Sequence, residues 1–217
     1  MIRQAITRNA VILGLFAIGT AAALALTNQA TLQRVECNRQ SALIDSLAQV
    51  MPDDHHDNVL IRDRIAVRDP LLGNGTQHLY RARRDGEPVG AVLEATAPDG
   101  YGGAIDLIVG VDADGRVLGV RVVPPHNETP GLGDKIERRK SDWITSFNGH
   151  SLANPDSAGW AVKKDGGTFD SFTGATITPR AVVGAVHRAL LYFRDHKEQV
   201  FQAPADTSDT ARETCRG

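Results

Sequence analysis

Hydrophobic and polar positions follow three different patterns along this chain. From Ala10 to Leu26 the run AVILGLFAIGTAAALAL carries no charge. With Asn9 and Thr27 it approaches the ~20 residues that a helix rising 1.5 Å per residue needs to cross a bilayer. A cleaved export signal would have an apolar stretch of about 7–15 residues ending in small residues such as Ala23-Leu24-Ala25. The longer run favours a retained transmembrane helix over residues 9–28. Beyond it, Leu32, Val35, Leu43, Ile44 and Leu47 recur at helical intervals, which predicts a helical linker over 29–52.

From residue 78 the period becomes two. HLYRAR, EPVGAVLEAT, GAIDLIVGV and RVLGVRVV read as strands, separated by Asp85-Gly86, by Pro98 to Gly103 and by Asp112-Ala113-Asp114-Gly115. Connections this short make antiparallel hairpins. The Pro- and Gly-dense stretch from Pro124 to Gly133 predicts an irregular loop whose glycines let backbone amides approach a ligand. DKIERRKSDWITSFNG then has helical character with Ser141 as a cap, and GWAVKKDGG reads as a strand. Finally Val182, Val186, Ala189, Leu190 and Phe193 repeat on one helical face, with Thr178 as the expected cap and Pro179 in the first turn. The fold class expected is α+β: an N-terminal transmembrane helix followed by a largely antiparallel sheet with packed helices over 53–202, and a flexible tail over 203–217.

Composition narrows the function. Arg3 and Arg8 precede the apolar run with no acid beside them, so the positive-inside rule places residues 1–8 in the cytoplasm and the body of the chain outside. The net charge is −2 over 217 residues. That gives no summed positive field to hold a phosphate backbone, so a nucleic-acid partner is excluded. Cys37 and Cys215 form no metal-binding pair; an exported compartment permits a disulfide between them, and two unpaired thiols are an equal reading. His55 and His56 within DDHHDN point in different directions on any regular element and read as loop. The Asp112 to Gly115 turn lacks the later ligands of a calcium loop.

The chemistry concentrates in SFTGATITPR, Ser171 to Arg180, which has four hydroxyls and no histidine or cysteine. A nucleophilic threonine needs a base within hydrogen-bond reach, and only Asp170 is close in sequence; His126 and His187 could approach only through the fold. The residues alone leave two readings open. The hydroxyls cap a turn into the last helix, or that helix start is an anion site of the kind phosphates occupy.

FDSFTGATITPRAVVGAV and YGGAIDLIVGVDADGRVLGVRVVPPHNETPGLGDKIE together resemble the FMN-binding domain family found in the G subunit of the Rnf (Rsx) electron transport complex and in the C subunit of the sodium-translocating NADH:quinone reductase. The resemblance extends over almost the whole chain. It implies FMN attached through a phosphoester to Thr176, with Thr173, Gly174 and Ala175 completing the motif and Asp170 matching its upstream acid. It also implies a separate flavin transferase that uses FAD and a metal ion, which explains the lack of a local base. Glu128, Thr129 and Leu132, with the rest of the 128–133 loop, and Lys163 are the expected neighbours of the flavin ring. The implied function is electron transfer within a complex that couples NADH and ferredoxin to ion translocation, on the periplasmic side of a bacterial inner membrane. The partners implied are the other subunits of that complex. No G-x-G-x-x-G unit or cysteine cluster is present, so dinucleotide and iron–sulfur sites fall to those partners. The competing expectation is an anchored assembly protein of the same fold without a redox-active flavin.

Overall fold

The structure, a computed structural model, describes residues 2–206. Helix α1 spans Ile2–Val50, and its stretch Ile6–Leu32 is long and apolar enough to cross a membrane. The chain divides into two units, Met1–Ala42 and Leu43–Gly217. The first is the larger part of α1, and its apolar side chains are exposed, as a lipid-facing span requires.

The second unit is built on one antiparallel sheet in the order β1-β2-β3-β4-β5: Arg64–Val67, Gln77–Arg84, Glu87–Ala97, Ile105–Asp112 and Val117–Val123. The four strands expected from the two-residue period are all present. Asp85 and Gly86 both have positive φ, 52° and 83°, as a two-residue hairpin of matching twist requires. At the β4–β5 hairpin the Asp112 carboxylate accepts the N–H groups of Asp114 and Arg116 at 2.9 and 2.8 Å, so that carboxylate closes a turn.

Each face of the sheet carries its own core. Ala91, Leu93, Leu107, Val109 and Val120 meet helix α2, Ile177–Gln202, through Val182, Val183, Val186, Ala189 and Phe193. On the opposite face Tyr80, Ala82, Val92 and Ile108 meet Leu47, Val50 and Met51. The last turns of the expected linker are therefore core. Gly110 and Gly119 face each other across β4 and β5. A Cβ on Gly110 would strike the Val50 carbonyl, and one on Gly119 would lie 3.0 Å from Val50 Cα. We expect Gly119→Ala to lower the unfolding free energy by about 1–3 kcal/mol, the usual cost of overpacking, read as a lower denaturant midpoint with unchanged slope.

Three segments take local forms that the periodicity does not specify. DKIERRKSDWITSFNG, read as helical, forms two short 3-10 helices, Gly133–Ile136 and Trp143–Phe147. Ser141 still accepts the Trp143 N–H at 3.2 Å. GWAVKKDGG makes only a one-residue bridge, Val162 to Phe169, before turning at Gly166, whose φ is 88°. At the C-terminal end, residues 203–206 are held: the Ala203 carbonyl accepts from Arg81, and the Asp206 N–H donates to Arg64 O at 2.8 Å. The rest of the expected tail, and with it Cys215, lies outside the described residues.

On the α1-side face, beyond the apolar patch, Glu94 accepts from the His78 backbone N–H and pairs with its ring, and it accepts the Tyr80 hydroxyl at 2.7 Å. The hydrogen bond to Glu94 raises the His78 pKa above its ordinary 6.5, against the effect of burial. Burial pushes Glu94 up, but the bonds from His78 and Tyr80 outweigh it and hold it below its ordinary 4.5. Stability from a raised histidine is complete below its unfolded pKa and lost as pH rises through the folded one. For a depressed carboxylate it is complete above the unfolded pKa and lost as pH falls through the folded one. The pair therefore contributes most between about pH 4.5 and 6.5. The stability gap between wild type and His78→Ala should be largest there and narrow toward pH 9; a gap flat with pH would contradict it.

Candidate functional site

Phe172 to Ala175 form a turn, just before Thr176, whose geometry explains its composition. Ala175 N–H donates to Phe172 O at 3.0 Å, and Gly174 has φ 84°, the left-handed position of a type II turn that favours glycine. A Cβ there would sit 3.6 Å from Leu132 Cδ2, so the turn lies against the 124–133 loop. Thr173 and Gly174 are exposed, while Ala175 and Thr176 are half-buried.

Helix α2 starts two residues earlier than expected. Thr176, with φ −88° and ψ −27°, is its N-cap, and its hydroxyl makes no capping hydrogen bond. Pro179 remains within the first turn, where a missing N–H is harmless. Thr178, the expected cap, is instead buried, and its hydroxyl donates to Glu128 Oε2. The other Glu128 oxygen accepts the Gly102 N–H at 3.0 Å. A single carboxylate thus joins the Tyr101-Gly102-Gly103 loop, the 124–133 loop and the start of α2. Glu128, one of the residues expected beside the ring, is only 5 % exposed. Leu132 does lie at the surface, 38 % exposed. The carbonyl of Thr129 accepts the N–H groups of Leu132, Gly133 and Asp134 at 3.1, 3.0 and 3.3 Å, which closes the loop under Leu132.

Lys163 Nζ pairs with Asp170 at 2.7 Å, both well exposed, and Trp143 donates its indole N–H to Asp170 O at 2.8 Å. Arg180 grips Asp165 through two hydrogen bonds of 2.6 and 2.8 Å, which hold the Asp165 carboxyl below its usual range. These exposed pairs frame the turn and add little stability. Under it lies an aromatic cluster that sequence reasoning missed: Trp143 meets Phe172 and Phe147 edge-on at 5.2 and 5.4 Å, and Phe147 stacks on Phe169 at 4.6 Å. The only local signal was the i, i+4 spacing of Trp143 and Phe147, which any packed helix would share.

Both histidines that could have served as a base are engaged elsewhere. His126 pairs with Glu137 at 2.9 Å, and His187 stacks on Trp160 at 5.5 Å with burial pushing its pKa down. A helix start offers unpaired amides and the positive end of a dipole, suited to a phosphate. Apart from α1 and Val59, the exposed large hydrophobic residues among those described are Tyr101, Leu132 and Ile177. They come from the three segments that Glu128 joins. The residues fit a group with an anionic end and a planar apolar body, as FMN has.

Comparison with known proteins agrees. The FMN-binding domain family matches residues 100–191, and the RnfG N-terminal region family matches residues 1–50. The chain is similar to the G subunits of ion-translocating oxidoreductase complexes. That of Pseudoalteromonas atlantica is 51% identical, covering 93% of this chain and 94% of the relative. That of Escherichia coli K12 is 52% identical over 93% and 98%, and that of Pseudomonas aeruginosa 49% over 95% and 96%.

Proposed function

Because the chain belongs to the G-subunit family of ion-translocating oxidoreductase complexes, whose FMN-binding domain it carries, we propose that it holds its FMN through a phosphoester on Thr176. Membership makes it a flavin-carrying subunit that works with other subunits of such a complex. The finer reading is electron transfer between NADH and ferredoxin partners, coupled to ion movement, with the soluble unit in the periplasm and Arg3 and Arg8 on the cytoplasmic side. In domain terms, residues 9–28 span the inner membrane and residues 53–202 bear the flavin.

One observation carries the attachment. Threonine at an N-cap ordinarily spends its hydroxyl on the helix's own amides, and the Thr176 hydroxyl does not. A flavin transferase with FAD and a metal ion would supply the activation this chain lacks. Thr176 Oγ loses its proton and forms a bond to the phosphorus on the FMN side, while the pyrophosphate bond breaks and AMP departs. The phosphate would then lie at the α2 start, Thr173 to Ala175 would form the motif the transferase reads, and Leu132, Thr129 and Lys163 would border the ring. Bound FMN supplies the electron-carrying chemistry; this chain supplies orientation and polarity.

The test is intact-mass spectrometry of the full chain, purified after co-expression with a flavin transferase. The expected mass is that of the chain plus one FMN less one water, with flavin fluorescence surviving a denaturing gel. A colourless chain of bare mass that still assembles with its partners would establish the assembly role instead.

A further inference from the structure

We propose that Glu128 is a positioning residue for the flavin, acting through Thr178 and Gly102 and biasing the flavin's potential with its buried charge. The inference rests on the attachment of FMN at Thr176. Thr178 is the second residue of α2 and only 1 % exposed, and Thr176 lies two residues before it. Whatever fixes the Thr178 hydroxyl therefore fixes the turn that presents Thr176. The contact is tight enough to dictate the neighbouring residue: a Cβ on Gly133 would lie 2.6 Å from Glu128 Oε2 and 3.0 Å from Thr178 Oγ1. Opposite, a Cβ on Gly102 would collide with the Asn127 carbonyl. Both glycines let backbone close around the carboxylate.

The electrostatics are equally specific. Among the described residues no lysine, arginine or histidine bonds the Glu128 carboxylate, whose partners are the Gly102 N–H and the Thr178 hydroxyl; His126 accepts only the Glu128 backbone N–H, at 3.4 Å. A buried carboxylate without a cation is costly unless hydrogen bonds and a helix N-terminus offset the cost, and both are here. Electrons placed on a ring bound against Leu132 would meet the Glu128 carboxylate within the same loop. That charge opposes reduction and lowers the potential. For scale, a unit charge on the order of 10 Å from a ring, at an effective dielectric of about 20, would change such an equilibrium on the order of tenfold.

The experiment uses the full chain, co-expressed with a flavin transferase and solubilised in detergent, as wild type, Glu128→Gln, Glu128→Ala and Thr178→Val. It reads the attached-FMN mass fraction at limiting transferase, the flavin midpoint potential and thermal unfolding. Glutamine keeps a carbonyl for Gly102 and a polar partner for Thr178 without the charge. Glu128→Gln should load nearly as wild type, with its reduction equilibrium shifted about tenfold toward the reduced form, about 30 mV upward for a two-electron couple. Thr178→Val should load more slowly, with little change of potential in the loaded fraction. Glu128→Ala should load at least about tenfold more slowly, because misplacing a reacting group by about 1 Å costs up to ~100-fold. A loaded wild type with the Glu128→Gln potential unmoved overturns this inference alone, even if Glu128→Ala does not fold. Loading of a folded Glu128→Ala at the wild-type rate overturns it as well. A wild type without attached FMN overturns this inference together with the Thr176 reading.

Discussion

Replacing Thr176 with valine should abolish flavin attachment outright: the intact mass falls to that of the bare chain and the denaturing gel shows no fluorescence. Valine matches threonine in shape and lacks only the oxygen that would bond phosphorus. Because the hydroxyl makes no capping hydrogen bond, the fold loses little. A half-buried substitution without a broken interaction stays near ~0.5 kcal/mol, so Thr176→Val should melt close to wild type. Thr173→Val, by contrast, leaves the acceptor in place and changes only an exposed position of the turn, so some labelled chain should remain. Covalent fluorescence persisting in Thr176→Val would move the attachment to another hydroxyl.

Arg81→Ala should be the most destabilising change considered. Arg81 is 3 % exposed and donates from Nε to Asp63 Oδ1 at 2.7 Å and from Nη1 to Val200 O at 3.2 Å, with a further bond to Ala203 O. Arg83 supports the same arrangement through Asp63 Oδ2 at 2.8 Å and Phe201 O at 3.0 Å. Two guanidinium groups thus terminate α2 where its last carbonyls would be orphaned and its dipole is negative. Removing one member of a buried ion pair costs about 3–5 kcal/mol, and the carbonyls lose their donor besides. Urea unfolding of the full chain in detergent should show that loss as a lower midpoint. Arg81→Lys should recover only part of it, since an ammonium cannot span Asp63 and two carbonyls at once. A cost below about 1 kcal/mol would reduce the arrangement to the rank of a surface salt bridge.

The parts of the fold legible in sequence are those set by neighbours along the chain. Strands β2 to β5 declare themselves through alternation and through Asp85-Gly86 and Asp112 to Gly115, whose turn chemistry is local. β1 escapes such a reading because Arg64–Val67 is four residues long and exists by pairing with β2. Trp143–Phe147 satisfies the same spacing as a 3-10 turn or an α-helix, and packing against Phe172 and Phe169, distant in sequence, decides between them. The start of α2 shows the limit most clearly. Thr178-Pro179 is a sound capping signal, yet Glu128, fifty positions away, claims the Thr178 hydroxyl and moves the cap to Thr176. At the site, Thr173 to Thr176 stand out as hydroxyls without a base, and the family resemblance gives them meaning. The depth of Glu128 and the aromatic support from Trp143 depend on three segments meeting, which no local pattern encodes.

The acceptors that Arg81 and Arg83 find on α2 and just beyond it are the backbone oxygens of Val200, Phe201 and Ala203, which every residue type possesses. The sheet therefore gauges how far the last helix runs and is largely indifferent to the side chains found there. Single substitutions at Gln202 or Ala203 leave that gauge satisfied, whereas deleting one residue between Phe193 and Val200 would rotate different carbonyls under the two arginines and throw the end of the domain out of register.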